Sequence, residues 1–103
     1  MTIIFDENVP WPLSRHLASY RVSSVQEEGW AGMQNGALIQ AIDGLFDILL
    51  LADKNLRYQQ NLAERRIAII ELPTNRWPAL QAKLAAIQAA IENARPGSYQ
   101  IID

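Results

Sequence analysis

Cysteine is absent from this 103-residue chain, which excludes disulfide bridges and thiolate metal sites together. Histidine occurs once, at His16 beside Leu17, and that position reads as helix surface or packing. The chain holds no nucleophile–histidine pair and no glycine-rich phosphate loop, so a phosphatase-like or other small-molecule hydrolase has little support. No apolar run approaches the roughly 18 residues of a membrane span, so no membrane association is expected. The N-terminus lacks the basic-then-apolar layout of a signal peptide, because MTIIF already reads as a strand. These absences together point to a cytoplasmic protein. Internal repeats, low-complexity tracts and linkers are missing too, and the length suits one domain over residues 1–103.

The composition that remains is ordinary for a globular protein, with 50% hydrophobic and 19% charged residues. The net charge of −2 conceals an asymmetry. Residues 1–53 carry seven acids against two bases, and residues 54–103 carry seven bases against four acids. Lys54, Arg57, Arg65, Arg66 and Arg76 form a loose basic stretch. An acidic site beside a basic rim suits a polyanion handled with a metal ion, although scattered surface charge gives the same count.

Hydrophobic patterning predicts alternating strands and helices. TIIF (2–5) is a short buried strand. Pro10 and Pro12 sit where a first helical turn tolerates proline, with Asn8 upstream as a cap, and Leu13, His16, Leu17 and Tyr20 continue a helix of about ten residues. Residues 21–25 (RVSSV) alternate as a strand, QEEGWAGMQNG is a loop and ALIQAI is a second short helix. FDILLLA is a strand covered on both faces. LRYQQNLAER forms a third helix capped by Asn55, with Tyr58, Gln59, Gln60 and Asn61 as its polar face. RIAIIEL is another strand. A long C-terminal helix over 76–94 carries Trp77, Leu80, Leu84, Ile87 and Ile91 as one stripe. Pro96-Gly97 ends it before a last strand in SYQII. Trp30 is expected to anchor its loop in the core.

This order implies an α/β fold with a central, mostly parallel sheet of four or five strands flanked by helices and joined by right-handed crossovers. Ligands of such sheets bind beyond the carboxyl ends of the strands, where strand order reverses. With order 2-1-3-4 and a fifth strand at one edge, strands 1 and 3 are neighbours at that point. Asp6 and Asp53 are the first polar residues after those strands. Paired carboxylates there would hold a hard divalent ion such as Mg²⁺, or would share a proton for acid–base chemistry. The nearby basic residues favour the ion. Glu7 adjoins Asp6, and Glu27 and Glu28 lie at the same sheet edge as further oxygen donors. The plainer alternative is that DEN and DKN simply cap helices and turns. The alanines at 82, 85, 86, 89, 90 and 94 would let a second copy approach closely, giving a homodimer.

The runs DENVP, VQEEGWAGMQNGALIQAI and FDILLLADKNLRYQQNLAERRIAIIEL, covering roughly residues 3–72, resemble the small bacterial PIN-like proteins of unknown function. Those are relatives of the PIN-domain ribonucleases, including the VapC toxins. The resemblance implies a PIN-like domain whose acids bind Mg²⁺ or Mn²⁺ and support hydrolysis of RNA. It matches Asp6 to the acid after the first strand and Asp53 to the acid after the later central strand, both catalytic, and it prefers Glu27 to Glu28. Asn35 stands where many relatives carry aspartate, Leu51 and Ala52 where a hydroxyl residue is common, and Asn55 where a further acid can occur. On this reading Asp6 and Asp53 ligate the metal, with Glu7 or Glu27 directly or through water. Asn8, Asn35 and Asn55 hold water or phosphate oxygens, and Lys54 and Arg57 clamp the RNA backbone. The expected function is a metal-dependent ribonuclease, the toxin partner of a small antitoxin protein. The alternative is a catalytically silent PIN-like binding module acting through a protein partner.

Overall fold

The computed structural model describes residues 1–33, 35–52 and 65–103. Five strands form one sheet in the order β2-β1-β3-β4-β5, with every neighbouring pair parallel. They are β1 Thr2–Phe5, β2 Arg21–Ser24, β3 Ile48–Leu51, β4 Ala68–Glu71 and β5 Tyr99–Ile101. The expected strand order is therefore observed. The three central strands are nearly pure apolar runs because both of their faces are covered.

Alternation along the strands splits the core in two. Ile3, Phe5, Ile48, Leu50, Ala68 and Ile70 line one face with Leu13 and Leu17. Ile4, Leu49, Leu51 and Ile69 line the other with Leu38, Ile39 and Ile42 of helix α1, Asn35–Ile42. Trp30 packs in this second core, edge-on to Phe46 with ring centroids 6.2 Å apart, so it anchors its loop as expected. Two acids fasten the amino ends of the strands. Asp47 Oδ2 accepts from the Thr2 N–H at 2.8 Å and from its hydroxyl at 3.1 Å. Asp43 Oδ1 accepts from the N–H groups of Arg66 and Ile67 at 2.8 and 2.9 Å.

The first helix differs from expectation in kind. Trp11–Leu17 is a 3₁₀ helix whose N-cap is Pro10, with no side-chain cap, so Asn8 does not cap it. Pro10 and Pro12 withhold N–H donors from the first turn, and Leu13 N–H bonds back only three residues, to Pro10 O at 3.2 Å. Glycines do not delay α1, which begins at Asn35 inside the stretch read as loop. Helix three of the sequence reading lies outside the described residues.

The expected long C-terminal helix is two helices, α2 Trp77–Gln81 and α3 Leu84–Glu92. Lys83 leaves helical geometry at φ −112° and ψ 10°, and its N–H closes a tight bond to Leu80 O at 2.9 Å. No glycine or proline marks this break in QAKLAA; packing overrides helix propensity here. Helix α2 lies against the 3₁₀ helix, where Trp77 and His16 bring ring centroids to 5.6 Å. Gln88 of α3 donates to His16 O at 3.1 Å, so both halves are fastened to the same short element. His16 is exposed and Leu80, Ile87 and Ile91 are fully buried, so the apolar stripe covers its own sheet as expected.

The crossovers are not all of one hand. The 3₁₀ helix and α2–α3 cover the same face, yet β1-to-β2 and β4-to-β5 travel across the sheet in opposite directions. Helix α1 covers the other face while β2-to-β3 travels in the direction of β4-to-β5. The β1-to-β2 and β2-to-β3 crossovers therefore share a hand and β4-to-β5 has the opposite one, so they do not all follow the right-handed rule. The 3₁₀ helix and α2–α3 together cover Ile48, Leu50, Ala68 and Ile70 on that face.

Candidate functional site at the carboxyl edge of the sheet

Asp6 is the first residue beyond β1 and is only 8% exposed. Its N–H donates to Leu50 O of β3 at 2.9 Å, and its carbonyl accepts the Val9 N–H at 3.1 Å. On the other side Val25 N–H donates to Phe5 O at 3.0 Å. The chain thus leaves β1 while held to both neighbours, at the point where β1 connects onward to β2 on one side and its neighbour β3 connects onward to β4 on the other. This is the crevice where parallel sheets bind ligands.

Glu7 is exposed, and its Oε1 accepts the Gly32 N–H. Its carbonyl receives a long bond of 3.5 Å from Gln26 Nε2. Glu7 therefore ties the loop after β2 to the turn after β1. Gly29 shapes that loop with φ 80°, a conformation a side chain would strain. Asn8 is exposed on the same turn. Glu27 N–H donates to Ser24 Oγ at 3.2 Å, whereas the Glu28 carboxylate is occupied by the Ser23 hydroxyl at 2.8 Å. Glu27 instead lines an open depression of about 290 Å³ with Val9, Trp11, Ser24 and Gln26. The structure accordingly separates Glu27 from Glu28 by what each side chain faces.

Of the residues expected to form the site, Asp6, Glu7, Asn8 and Glu27 stand at this edge. Asp53, Lys54, Asn55 and Arg57 lie outside the described residues, as does the side chain of Asn35. Strand β3 ends at Leu51, and Leu51 O accepts the Leu72 N–H at 2.7 Å. Among the described residues no three His, Cys, Asp or Glu side chains converge to hold a metal ion.

Two residues at the edge escaped the sequence reading. Glu71 ends β4 fully buried, and its Oε1 accepts the Tyr99 hydroxyl at 2.8 Å. Glu71 is paired in register with Leu51 and Ile101, which puts it two strand spacings, about 10 Å, from the end of β1. The visible signal was a lone acid inside the apolar run IAIIEL. Trp11 is 46% exposed at the mouth of the depression and meets Phe5 edge-on at 5.6 Å. Its signal was an aromatic residue fixed between two prolines. Among the described residues no helix is long and apolar enough to cross a membrane. Compared with protein-family models, with curated proteins and with solved structures, the chain matches none.

Proposed function

We propose that this chain is a metal-dependent ribonuclease of PIN-like type, acting at the carboxyl edge between β1 and β3. The observation that carries the reading is Asp6, a largely buried carboxylate at the point where strand order reverses, with its backbone bonded to β3. The donors at the edge are carboxylate oxygens, with neither thiolate nor imidazole among them, and that chemistry fits Mg²⁺ or Mn²⁺. Asp6 and Asp53 would hold the ion, with Glu7 or Glu27 supplying an oxygen directly or through water. When bound, the ion activates water and offsets phosphodiester charge. Lys54 and Arg57 neutralise backbone phosphates, and Asn8, Asn35 and Asn55 donate hydrogen bonds to water or phosphate oxygens. A chain of this kind fits the toxin of a toxin–antitoxin pair, with a small protein partner to silence it.

The second reading is a catalytically silent module that binds a protein partner, and its motivation is Asn35 standing where many PIN-like relatives carry a further acid. Incubation of the purified protein with single-stranded RNA and Mn²⁺ separates the two. The nuclease reading expects cleavage that a chelator stops and that the Asp6→Asn, Asp53→Asn double variant lacks. Intact RNA, or equal cleavage by the variant, leaves the silent module as the function.

A further inference from the structure

The depression beside Asp6 has a definite chemistry of its own. Its walls are Trp11, Gln26 and Glu27, with Val9 and Ser24 nearly buried at its base. Trp11 stands between Pro10 and Pro12, whose rings restrict the backbone, and its ring meets that of Phe5, itself 1% exposed, at an interplanar angle of 67°. An indole held this way and 46% exposed offers apolar surface to a ligand at little entropic cost on binding. The polar groups beside it are mostly acceptors. An ionised Glu27 carboxylate accepts hydrogen bonds and donates none. Ser24 Oγ already takes the Glu27 N–H, and Gln26 Nε2 reaches toward Glu7 O, which leaves Gln26 Oε1 as another acceptor.

We propose that this depression is a nucleobase subsite that stacks one base of a single strand on Trp11 and reads its amino group with Glu27. The assignment to a strand rests on the ribonuclease reading; the base chemistry does not. Adenine, cytosine and guanine each present an exocyclic amino donor to a carboxylate. Uracil presents carbonyl oxygens on both sides of its single N–H, and these face the Glu27 carboxylate unfavourably. At about 290 Å³ the depression lies at the lower end of ligand sites, roughly 300–1,000 Å³, in keeping with one base and not a run of them. Glu27 then serves the base, and Glu7 is the acid left to assist Asp6 and Asp53 at the ion.

Nucleosides carry no phosphate, so their binding is read independently of any metal. The chain has three tryptophans, and in the ¹⁵N-labelled protein a Trp11→Phe variant identifies the Trp11 indole N–H signal. Adenosine and cytidine are expected to shift that signal and the Glu27 amide saturably, with uridine about tenfold weaker. Trp11→Ala should weaken adenosine binding by about tenfold, the usual loss for a stacked base. Trp11→Leu, which keeps apolar packing on Phe5 without an aromatic face, replaces it if the alanine variant does not fold. Glu27→Gln, whose amide can also donate, should bring uridine level with cytidine. An oligoadenylate should bind more tightly than adenosine monophosphate; equal affinity overturns the assignment to a strand. An unmoved Trp11 signal, or undiminished binding by a folded Trp11 variant, overturns the subsite itself. Base binding by a protein that leaves RNA intact supports the subsite and refutes the nuclease reading, whereas cleavage without base binding does the reverse.

Discussion

At the scale of single residues, the acids of this chain divide by what their oxygens already hold. Asp43 is spent on two backbone N–H groups at the amino end of β4, and Asp47 on Thr2 at the amino end of β1. Asp43→Ala should therefore destabilise the fold by about 1–2 kcal/mol, since it withdraws an acceptor from two donors, one of them on buried Ile67. Urea denaturation measures this, and Mn²⁺ affinity should not change. Glu71 is the opposite case, a carboxylate sealed at the carboxyl edge with the Tyr99 hydroxyl at 2.8 Å. Tyr99→Phe deletes that bond at the cost of about 1–3 kcal/mol, again read by denaturation. Glu28 spends its carboxylate on Ser23, whereas Glu27 turns to the depression; spacing along the sequence cannot distinguish two adjacent glutamates in this way.

At the scale of elements, strands were easier to read than helices, for a physical reason. A buried strand announces itself as an unbroken apolar run, and TIIF, ILLL and AIIE each do so. Helix type and continuity depend on packing that no local pattern records. The apolar spacing of Leu13 and Leu17 was correct while the 3₁₀ geometry was not legible. The stripe from Trp77 to Ile91 was likewise correct while the turn at Lys83 was not legible, since neither glycine nor proline marks it. The break has a measurable signature. Glycine at exposed Ala86, inside α3, should cost about 1 kcal/mol, whereas Lys83→Gly, at a position already outside helical geometry, should cost a few tenths. Equal costs in thermal or urea unfolding would restore a continuous helix. Ile87→Ala, at a fully buried position of the same element, should lose about 2–5 kcal/mol through transfer and cavity effects.

At the scale of the whole molecule, alternation of strands and helices implied a parallel sheet. The order 2-1-3-4 with a fifth strand at one edge, taken as a condition, is the one observed and brings Asp6 to the point where the order reverses. The hand of the last crossover did not follow, because the rule that predicts it concerns a typical connection. Here the 3₁₀ helix and α2–α3 pack on the same face of the sheet. The candidate site was legible to the same degree. Topology delivered Asp6 and the Glu27 edge, while Trp11 and Glu71 emerged only from burial and exposure. An acidic edge that takes RNA needs its charge offset, so the account stands or falls on a cation held there. The most direct test is a Mn²⁺ titration of the wild type, Asp6→Asn and Asp53→Asn, with free Mn²⁺ followed by electron paramagnetic resonance and folding checked by circular dichroism. One wild-type site, weakened about tenfold or more in each folded variant, is the expected result, since each loses one of two anionic ligands. Wild-type protein that binds no Mn²⁺, or folded variants that bind it equally well, would contradict the account.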